Sequence, residues 1–228
     1  MIGIILLHPL RNLCARIEVY LMRLFTLSTV LALSMLSICT LSAQQAGDEK
    51  QEFGITVGEL SGGNPTAVAG PLTIDAGIAV EANFARRFKD MKDVAVYWEL
   101  DGLVGPLRYV HGTPVTATHE IRSIYVTPGI KVQFTPKEPI SPWIAAGGGF
   151  AFYNASGTSI AGGPSTAGSA NTYAVDFGGG VDFALGKRYL IRGEIRGFYT
   201  GNPDFGASTS GGQFNVIIGG GLVWRSTK

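Results

Sequence analysis

Strict alternation between apolar and polar or small side chains is the feature of this chain that most restricts its fold. After residue 44, eight segments alternate with a period of two residues, whereas the spacing of an amphipathic helix is scarce. Most segments run about 9 to 12 residues, which is longer than the usual strand of about 5 to 6 and close to the roughly 9 to 11 residues of a tilted membrane-spanning strand. The alternating segments cover 53–58, 74–84, 94–101, 123–134, 144–152, 173–183, 189–199 and 214–224.

Long and short connections alternate strictly between these segments. Since neighbouring antiparallel strands turn at opposite ends of a sheet, this order places every long connection at one rim and every short one at the other. Short periplasmic turns opposite long extracellular loops are typical of bacterial outer-membrane barrels. The long connections cover roughly 61–71, 103–119, 154–170 and 201–212, and the short ones cover roughly 87–93, 137–142 and 185–188.

Aromatic residues cluster near both ends of the predicted strands. Amphipathic rings favour the two interfaces between water and lipid, so this clustering predicts two aromatic girdles. The girdle at the short-turn rim comprises Phe53, Phe84, Phe134, Trp143, Phe183, Tyr189 and Trp224. The girdle at the long-loop rim comprises Phe152, Tyr153, Tyr173, Phe198, Tyr199 and Phe214.

Residues 1–43 are predicted to be an N-terminal extension with a signal peptide, and residues 44–228 to form the folded domain. An uncharged apolar run covers 24–41, and the sequence becomes abruptly polar after Ala43, which favours a secretory signal cut at that residue. Met22, which stands just before the run, is the expected true start. A run of 18 apolar residues is also long enough for a membrane anchor, so that alternative stays open.

Composition excludes several classes of function. Only 15% of the residues are charged and the net charge is +1, so no nucleic-acid partner is expected. Both cysteines, Cys14 and Cys39, precede the predicted cut, which leaves no thiol for disulfide or metal chemistry; Cys39 also stands in a partial lipoprotein motif, a further alternative for the leader. The glycine triplets at 147–149, 178–180 and 219–221 lie inside alternating segments and lack the Lys-Ser/Thr of a phosphate-binding loop. We therefore expect no nucleotide and no other cofactor.

The histidines offer little for catalysis. His111 and His119 are the two that follow the predicted leader, and both fall in the second long connection. Glu120 is the acid beside them, which is too few ligands for a metal site. We predict no catalytic residue, no metal site and no enzymatic activity.

With these features the chain resembles the small eight-stranded outer-membrane barrels of the OmpA/OmpX and opacity-protein type, over residues 52–225. Gly219, Leu222 and Trp224 match the Gly-x-x-apolar-x-aromatic pattern that this family uses as its assembly signal, while Ile217 and the tail from Arg225 depart from it. The resemblance implies an all-β fold, an eight-stranded antiparallel up-and-down transmembrane β-barrel in the outer membrane of a Gram-negative-type bacterium. It also implies outer-membrane lipid and the barrel-assembly machinery as partners. The chief alternative fold is a soluble barrel of the lipocalin kind, in which the same strands turn their apolar face inward.

If the apolar face contacts lipid, the charged positions must line the lumen. Eight strands enclose little more than side chains, and unpaired charges there are costly, so we expect a network in which three bases bridge the acids. Seven acids against three bases leave a surplus of four, which must be hydrated or protonated. The predicted lumen residues are Asp75, Glu81, Glu99, Asp101, Lys131, Asp176, Asp182, Arg192, Glu194 and Arg196.

A plugged lumen predicts a structural or surface-interaction protein, whose long loops would bind any extracellular ligand. The alternative is a narrow porin-like channel, or a conduit for small apolar solutes that opens laterally near Gly148, Gly179, Gly193 and Gly197. A lipid-modifying barrel enzyme is a third hypothesis and would require His111 or His119. A closed barrel has no free strand edge, and proline cannot donate a backbone hydrogen bond to a neighbouring strand. At Pro128 we therefore predict a bulge or a missing hydrogen bond.

Overall fold

The computed structural model describes residues from 49 onward. The predicted leader, its cut after Ala43 and the expected start at Met22 therefore lie outside the described residues. No helix within the described part is long and apolar enough to cross a membrane. The described residues are 49–62, 66–67, 70–112, 118–157, 168–201, 209–210 and 212–226.

Eight long strands form the wall of a closed barrel. They are β1 (Gln51–Leu60), β4 (Gly77–Met91), β5 (Val94–Gly112), β6 (Thr118–Phe134), β7 (Ile140–Gly157), β8 (Gly168–Ala184), β9 (Tyr189–Thr200) and β11 (Gln213–Ser226). Three short strands lie at the long-loop rim and join the wall through β5: β2 (Thr66–Ala67), β3 (Gly70–Ile74) and β10 (Thr209–Ser210). Every pairing is antiparallel, and β1 pairs with β11 to close the ring. The predicted fold class is confirmed.

The register of the strands sets the tilt of the barrel. A path of paired residues that starts at Ser226 and goes once round the wall returns to β11 at Val216, ten residues from its start. A stagger of this size in eight strands corresponds to a tilt of roughly 40°, and the interior of such a barrel is filled by side chains. The path passes through Gln51, Arg86, Trp98, Ile130, Ala146, Phe177 and Gly197.

The second long connection is shorter than predicted, because β5 and β6 extend into it. His111 pairs with Thr118 and His119 pairs with Val110, so the backbones of both histidines lie on strands and their predicted place in a loop is wrong. A register shift between Gly105 and Arg108 accommodates the Gly105-Pro106 sequence within β5.

Pro128 interrupts the ladder, as predicted. The pairing of β6 with β7 stops at Val126↔Phe150 and resumes at Gly129↔Gly147, with no pair at Thr127 or Pro128. Proline has no N–H to donate, which accounts for the missing step. The register is the same on both sides of the gap, so the wall continues without a shift.

The alternation of the strands separates an apolar exterior from a charged interior. Outward-facing residues such as Ile78 and Ile218 are 70% and 62% exposed, whereas their inward neighbours are buried. A lipocalin-like barrel would bury the apolar set and expose the charged set, so that alternative is wrong. This exterior is the surface of a barrel that contacts lipid.

Candidate functional site

Nine of the ten predicted lumen residues lie on strands with their side chains buried inside the barrel. Asp75 is the exception: it lies between β3 and β4, is half-buried, and donates its backbone N–H to the carbonyl of Tyr109 (2.9 Å). The buried nine are Glu81, Glu99, Asp101, Lys131, Asp176, Asp182, Arg192, Glu194 and Arg196.

Four charged residues outside the predicted set are also buried: Glu49, just before β1, and Glu52, Arg108 and Arg225 on the strands. Glu52 and Arg225 extend the alternation of β1 and β11 by one inward position each, so a longer reading of those two segments would have found them. Arg108 follows the register shift in β5, which reverses the parity of the strand, and no sequence signal marks its inward direction. With these residues the described strands bury seven acids and five bases, a surplus of two acids instead of four.

Asp182 is the hub of the interior near the short-turn rim. Arg192 donates to both of its carboxylate oxygens, Nε to Oδ1 at 2.8 Å and Nη2 to Oδ2 at 2.9 Å. The indole N–H of Trp143 (3.2 Å) and the amide of Gln133 (3.3 Å) donate to the same carboxylate. Such a bidentate, charge-assisted arrangement is among the strongest that side chains make.

Glu52 is the second acid of this region. The side chain of Arg225 donates from Nε to Glu52 Oε1 (2.9 Å), Lys131 forms an ion pair with Oε2, and Arg192 lies 3.8 Å from Oε2. We call this set the lower ion-pair layer: Glu52, Lys131, Asp182, Arg192 and Arg225. Three bases share two acids here, so the layer carries one excess positive charge.

Trp143 is buried in the interior beside three cations. Its ring lies 4.7 Å from Cζ of Arg192, 5.4 Å from Nζ of Lys131 and 5.5 Å from Cζ of Arg196, distances at which cations are attracted to the ring face. Space for the ring comes from Gly180, where a Cβ would approach a carbon of the indole to 2.8 Å.

Three aromatic residues of the predicted girdles lie inside the barrel instead. Trp143, Tyr153 and Phe198 are at most 2% exposed, and their predicted place at the lipid interfaces is wrong. Each was assigned from its position along the strand, but the pleat determines which face a side chain occupies, and each is on the inward set. The outward rings include Phe53, Phe150, Tyr173 and Trp224, which remain exposed on the lipid face.

A second layer, above the first, gathers five acids around one base. Arg196 lies 2.8 Å from Asp176, 3.3 Å from Glu99, 3.6 Å from Glu81 and 3.8 Å from Asp101. We call this set the middle carboxylate layer: Glu81, Glu99, Asp101, Asp176, Glu194 and Arg196. Among the described residues, no group of His, Cys, Asp and Glu is arranged to hold a metal ion.

Three acids of this layer have no hydrogen-bond donor. Both carboxyl oxygens of Glu81, Asp101 and Glu194 are buried and accept no hydrogen bond from any described side chain. Glu81 and Asp101 lie 3.6 and 3.8 Å from the guanidinium of Arg196, which is beyond hydrogen-bond distance. The layer therefore depends on one guanidinium for its electrostatic balance.

An apolar layer closes the interior towards the long-loop rim. The phenol oxygens of Tyr125 and Tyr153 are 3.1 Å apart, and Tyr125 and Phe198 pack with ring centroids at 5.0 Å. All members are at most 2% exposed. We call this set the upper apolar layer: Leu60, Leu103, Ile121, Tyr125, Tyr153, Phe198 and Ile217.

Arg108 lies on the long-loop side of the upper apolar layer and donates hydrogen bonds to three neighbouring segments. Its guanidinium donates to Oδ1 of Asn215 (3.0 Å), to Oγ of Ser123 (3.3 Å) and to the carbonyl of Ser61 (3.4 Å). The bonds connect β5 to β6, to β11 and to the residue that follows β1. A buried cation with this many acceptors is satisfied without an acid beside it.

The outer face shows no lateral opening at three of the four glycines that suggested one. Gly179, Gly193 and Gly197 each pair with residues on both neighbouring strands. A shallow apolar groove of 530 Å³ lies outside Gly179 and Gly197, with the stacked rings of Phe177 and Phe214 at its edge. Gly148 lies opposite the interruption at Pro128, the one break in the ladder near these positions.

The residues of the predicted assembly signal occupy both faces of β11. Leu222 and Trp224 point outward and are 59% and 45% exposed, and Gly219 is on the inward face against Thr56. Their role in assembly stays a prediction. Arg225, where the sequence departs from the family pattern, is an inward residue of the strand itself.

A closed antiparallel ring, an apolar exterior and a filled polar interior define the class: this is a small outer-membrane β-barrel. Solved structures of the same architecture are similar to it. They include Neisserial surface protein A (TM-score 0.47, 12% identity, 76% of this chain and 97% of that one). Ail, the attachment invasion locus protein of Yersinia pestis, matches with a TM-score of 0.45 and 15% identity over 78% of this chain and 99% of that one.

The outer-membrane enzyme PagL is also similar, with a TM-score of 0.39 and 14% identity over 76% of this chain and 97% of that one. No protein-family model and no curated protein sequence matches the chain. At these identities the likeness is one of fold. The expected resemblance to small outer-membrane barrels is confirmed at that level, and the proteins that share the fold have different roles.

Proposed function

We propose that this protein is a non-enzymatic outer-membrane barrel with a structural or surface-interaction role and a lumen that does not conduct. The observation that supports this most directly is the stacking of three filled layers along the axis of the barrel. Ions entering from the long-loop rim would pass the Arg108 guanidinium and then meet the upper apolar layer, where Leu60, Leu103, Phe198 and Ile217 are fully buried. Crossing such a layer without water is costly for any ion.

The long-loop rim supports an interaction role, because one side of the wall rises above the other. Residues 168–173 of β8 pair with β7 but with no described residue of β9, and the pairs His119↔Gly157 and His111↔Thr118 extend β5, β6 and β7 to a similar height. The connections that continue from these strands are rich in Gly, Ser and Thr. A raised, hydrogen-bonded wall carrying polar loops offers a surface to an extracellular ligand while the barrel holds it in the membrane.

Protein inserted in planar bilayers is expected to show no single-channel steps in concentrated KCl. Folding is verified on the same preparation by a change of gel mobility on boiling, which reports the closed barrel, and insertion by co-flotation of the protein with vesicles of the bilayer lipid. Discrete steps whose size rises with salt concentration would contradict the closed lumen and support the porin-like alternative. A preparation without the mobility change would contradict the membrane barrel itself.

A further inference from the structure

The hairpin formed by β4 and β5 extends past β1 at the short-turn rim, while on its other side β5 stays paired with β6 as far as Val94↔Phe134. The last pair between β1 and β4 is Gln51↔Arg86, yet β4 continues to Met91, paired there with β5 alone among the described strands. A register shift places Phe88 as an extra residue in β4. We call residues 86–96 the hairpin tip.

The short-turn rim is strongly basic, and the hairpin tip contributes much of its charge. Among the side chains that the structure describes, eight exposed or half-buried bases face three acids at this rim. The described side chains of the long-loop rim include the acids Glu59, Asp75 and Glu120 and, as their one exposed base, Arg122. The short-turn rim has the bases Lys50, Arg86, Arg87, Lys89, Lys92, Lys137, Lys187 and Arg188, and the acids Asp90, Asp93 and Glu138.

Exposed apolar side chains alternate with these bases at the hairpin tip. Phe88 is 58% exposed and Met91 is 43% exposed, which is unfavourable in water but suits the boundary between headgroups and acyl chains. Arg86 pairs across the strands with Trp98, whose ring lies 5.9 Å from that of Phe84 in an edge-to-face arrangement. The bases of the hairpin tip therefore lie next to the outward aromatic residues, on the side that is farther from the apolar middle of the barrel wall.

We propose that the hairpin tip binds the anionic headgroups of phospholipids in the leaflet on the short-turn side. Arg86 and Lys89 supply positive charge at the height of the phosphates, while Phe88 and Met91 insert among the upper parts of the acyl chains. An acidic polymer outside the membrane would satisfy the bases but would leave both apolar side chains in water. The inference rests on the membrane location in the proposed function.

Trp98 reports directly on the lipids beside the hairpin tip. The protein is folded into phosphatidylcholine vesicles with a minor fraction of phosphatidylglycerol in both leaflets, and either lipid is supplied in brominated form at the same amount. The part of the quenching that is lost in Trp98→Phe belongs to Trp98. We expect brominated phosphatidylglycerol to quench it about fivefold more than the same amount of brominated phosphatidylcholine, because one base near a membrane surface favours an anionic lipid by about that factor.

Two variants with matched charge loss separate the hairpin tip from the rim as a whole. Arg86→Gln/Lys89→Gln should quench equally with both lipids, whereas Lys187→Gln/Arg188→Gln, on the turn between β8 and β9, should keep most of the preference. The site would be overturned if the two brominated lipids quenched Trp98 equally in the unmodified protein. It would also be overturned if both variants lost the preference for phosphatidylglycerol to the same extent. Loss of co-sedimentation with peptidoglycan in the hairpin variant, without any lipid preference in the unmodified protein, would overturn it in favour of a periplasmic polymer. Absence of quenching by either lipid would show instead that the protein is not inserted, and the proposed function would fail.

Discussion

Replacement of Asp182 by asparagine is expected to lower the free energy of unfolding of the barrel by about 3 to 5 kcal/mol. The substitution keeps the shape of the side chain but removes the charge of the carboxylate. That carboxylate accepts hydrogen bonds from Nε (2.8 Å) and Nη2 (2.9 Å) of Arg192. Its new amide N–H groups would face the guanidinium, the indole N–H of Trp143 and the amide of Gln133, which are all donors. Urea unfolding of the protein in lipid vesicles, followed by the loss of the folded gel band, measures the change.

The same substitution at an ion pair whose acid is exposed is the matched control. Asp90 lies 3.3 Å from Arg87 at the hairpin tip; the side chain of Asp90 is 43% exposed and that of Arg87 is 9% exposed. Water solvates the Asp90 carboxylate and screens the pair, so Asp90→Asn should cost less than about 1 kcal/mol. If both variants unfold at the same urea concentration, Asp182 cannot be the hub of the lower ion-pair layer.

Period-two alternation predicted the wall of the barrel well, because the pleat of a strand determines the face of each side chain. Trp143 shows how strong this rule is. Its position near the strand end led to the prediction of a girdle residue, but its neighbour Ile144 faces outward, so the alternation of β7 puts Trp143 inside. Moving Trp143 to the outer face by a change of register would move every other side chain of β7 to the wrong face as well.

The charged interior could be predicted in kind but not in its pairing. Glu52 and Arg225 are separated by 173 residues, and they meet only because β1 closes the ring against β11. Their registry depends on the stagger accumulated over all eight strands, which no local pattern contains. Arg108 was beyond prediction for another reason: the register shift after Gly105 reverses the alternation that would have identified its face.

Replacement of Arg196 by methionine is the second change expected to have a large effect, also about 3 to 5 kcal/mol or more. Arg196 is the one base of the middle carboxylate layer, and four acids lie between 2.8 and 3.8 Å of its guanidinium. Methionine fills much of the same volume, so the loss measures charge rather than packing. Urea unfolding in vesicles again provides the readout.

Two companion variants distinguish a lost charge from a lost shape at this position. Arg196→Lys keeps the positive charge, but a compact ammonium cannot reach four carboxylates at once, so its loss should be smaller than that of methionine yet measurable. Removing two of the acids together with the base, in Arg196→Met/Glu81→Gln/Asp101→Asn, should recover part of the stability, because fewer like charges remain buried without a cation. This recovery is a coupling energy and requires the residues to share one network. If the triple variant is less stable than Arg196→Met alone, the acids do not repel one another and the middle layer is held together by contacts other than its single arginine.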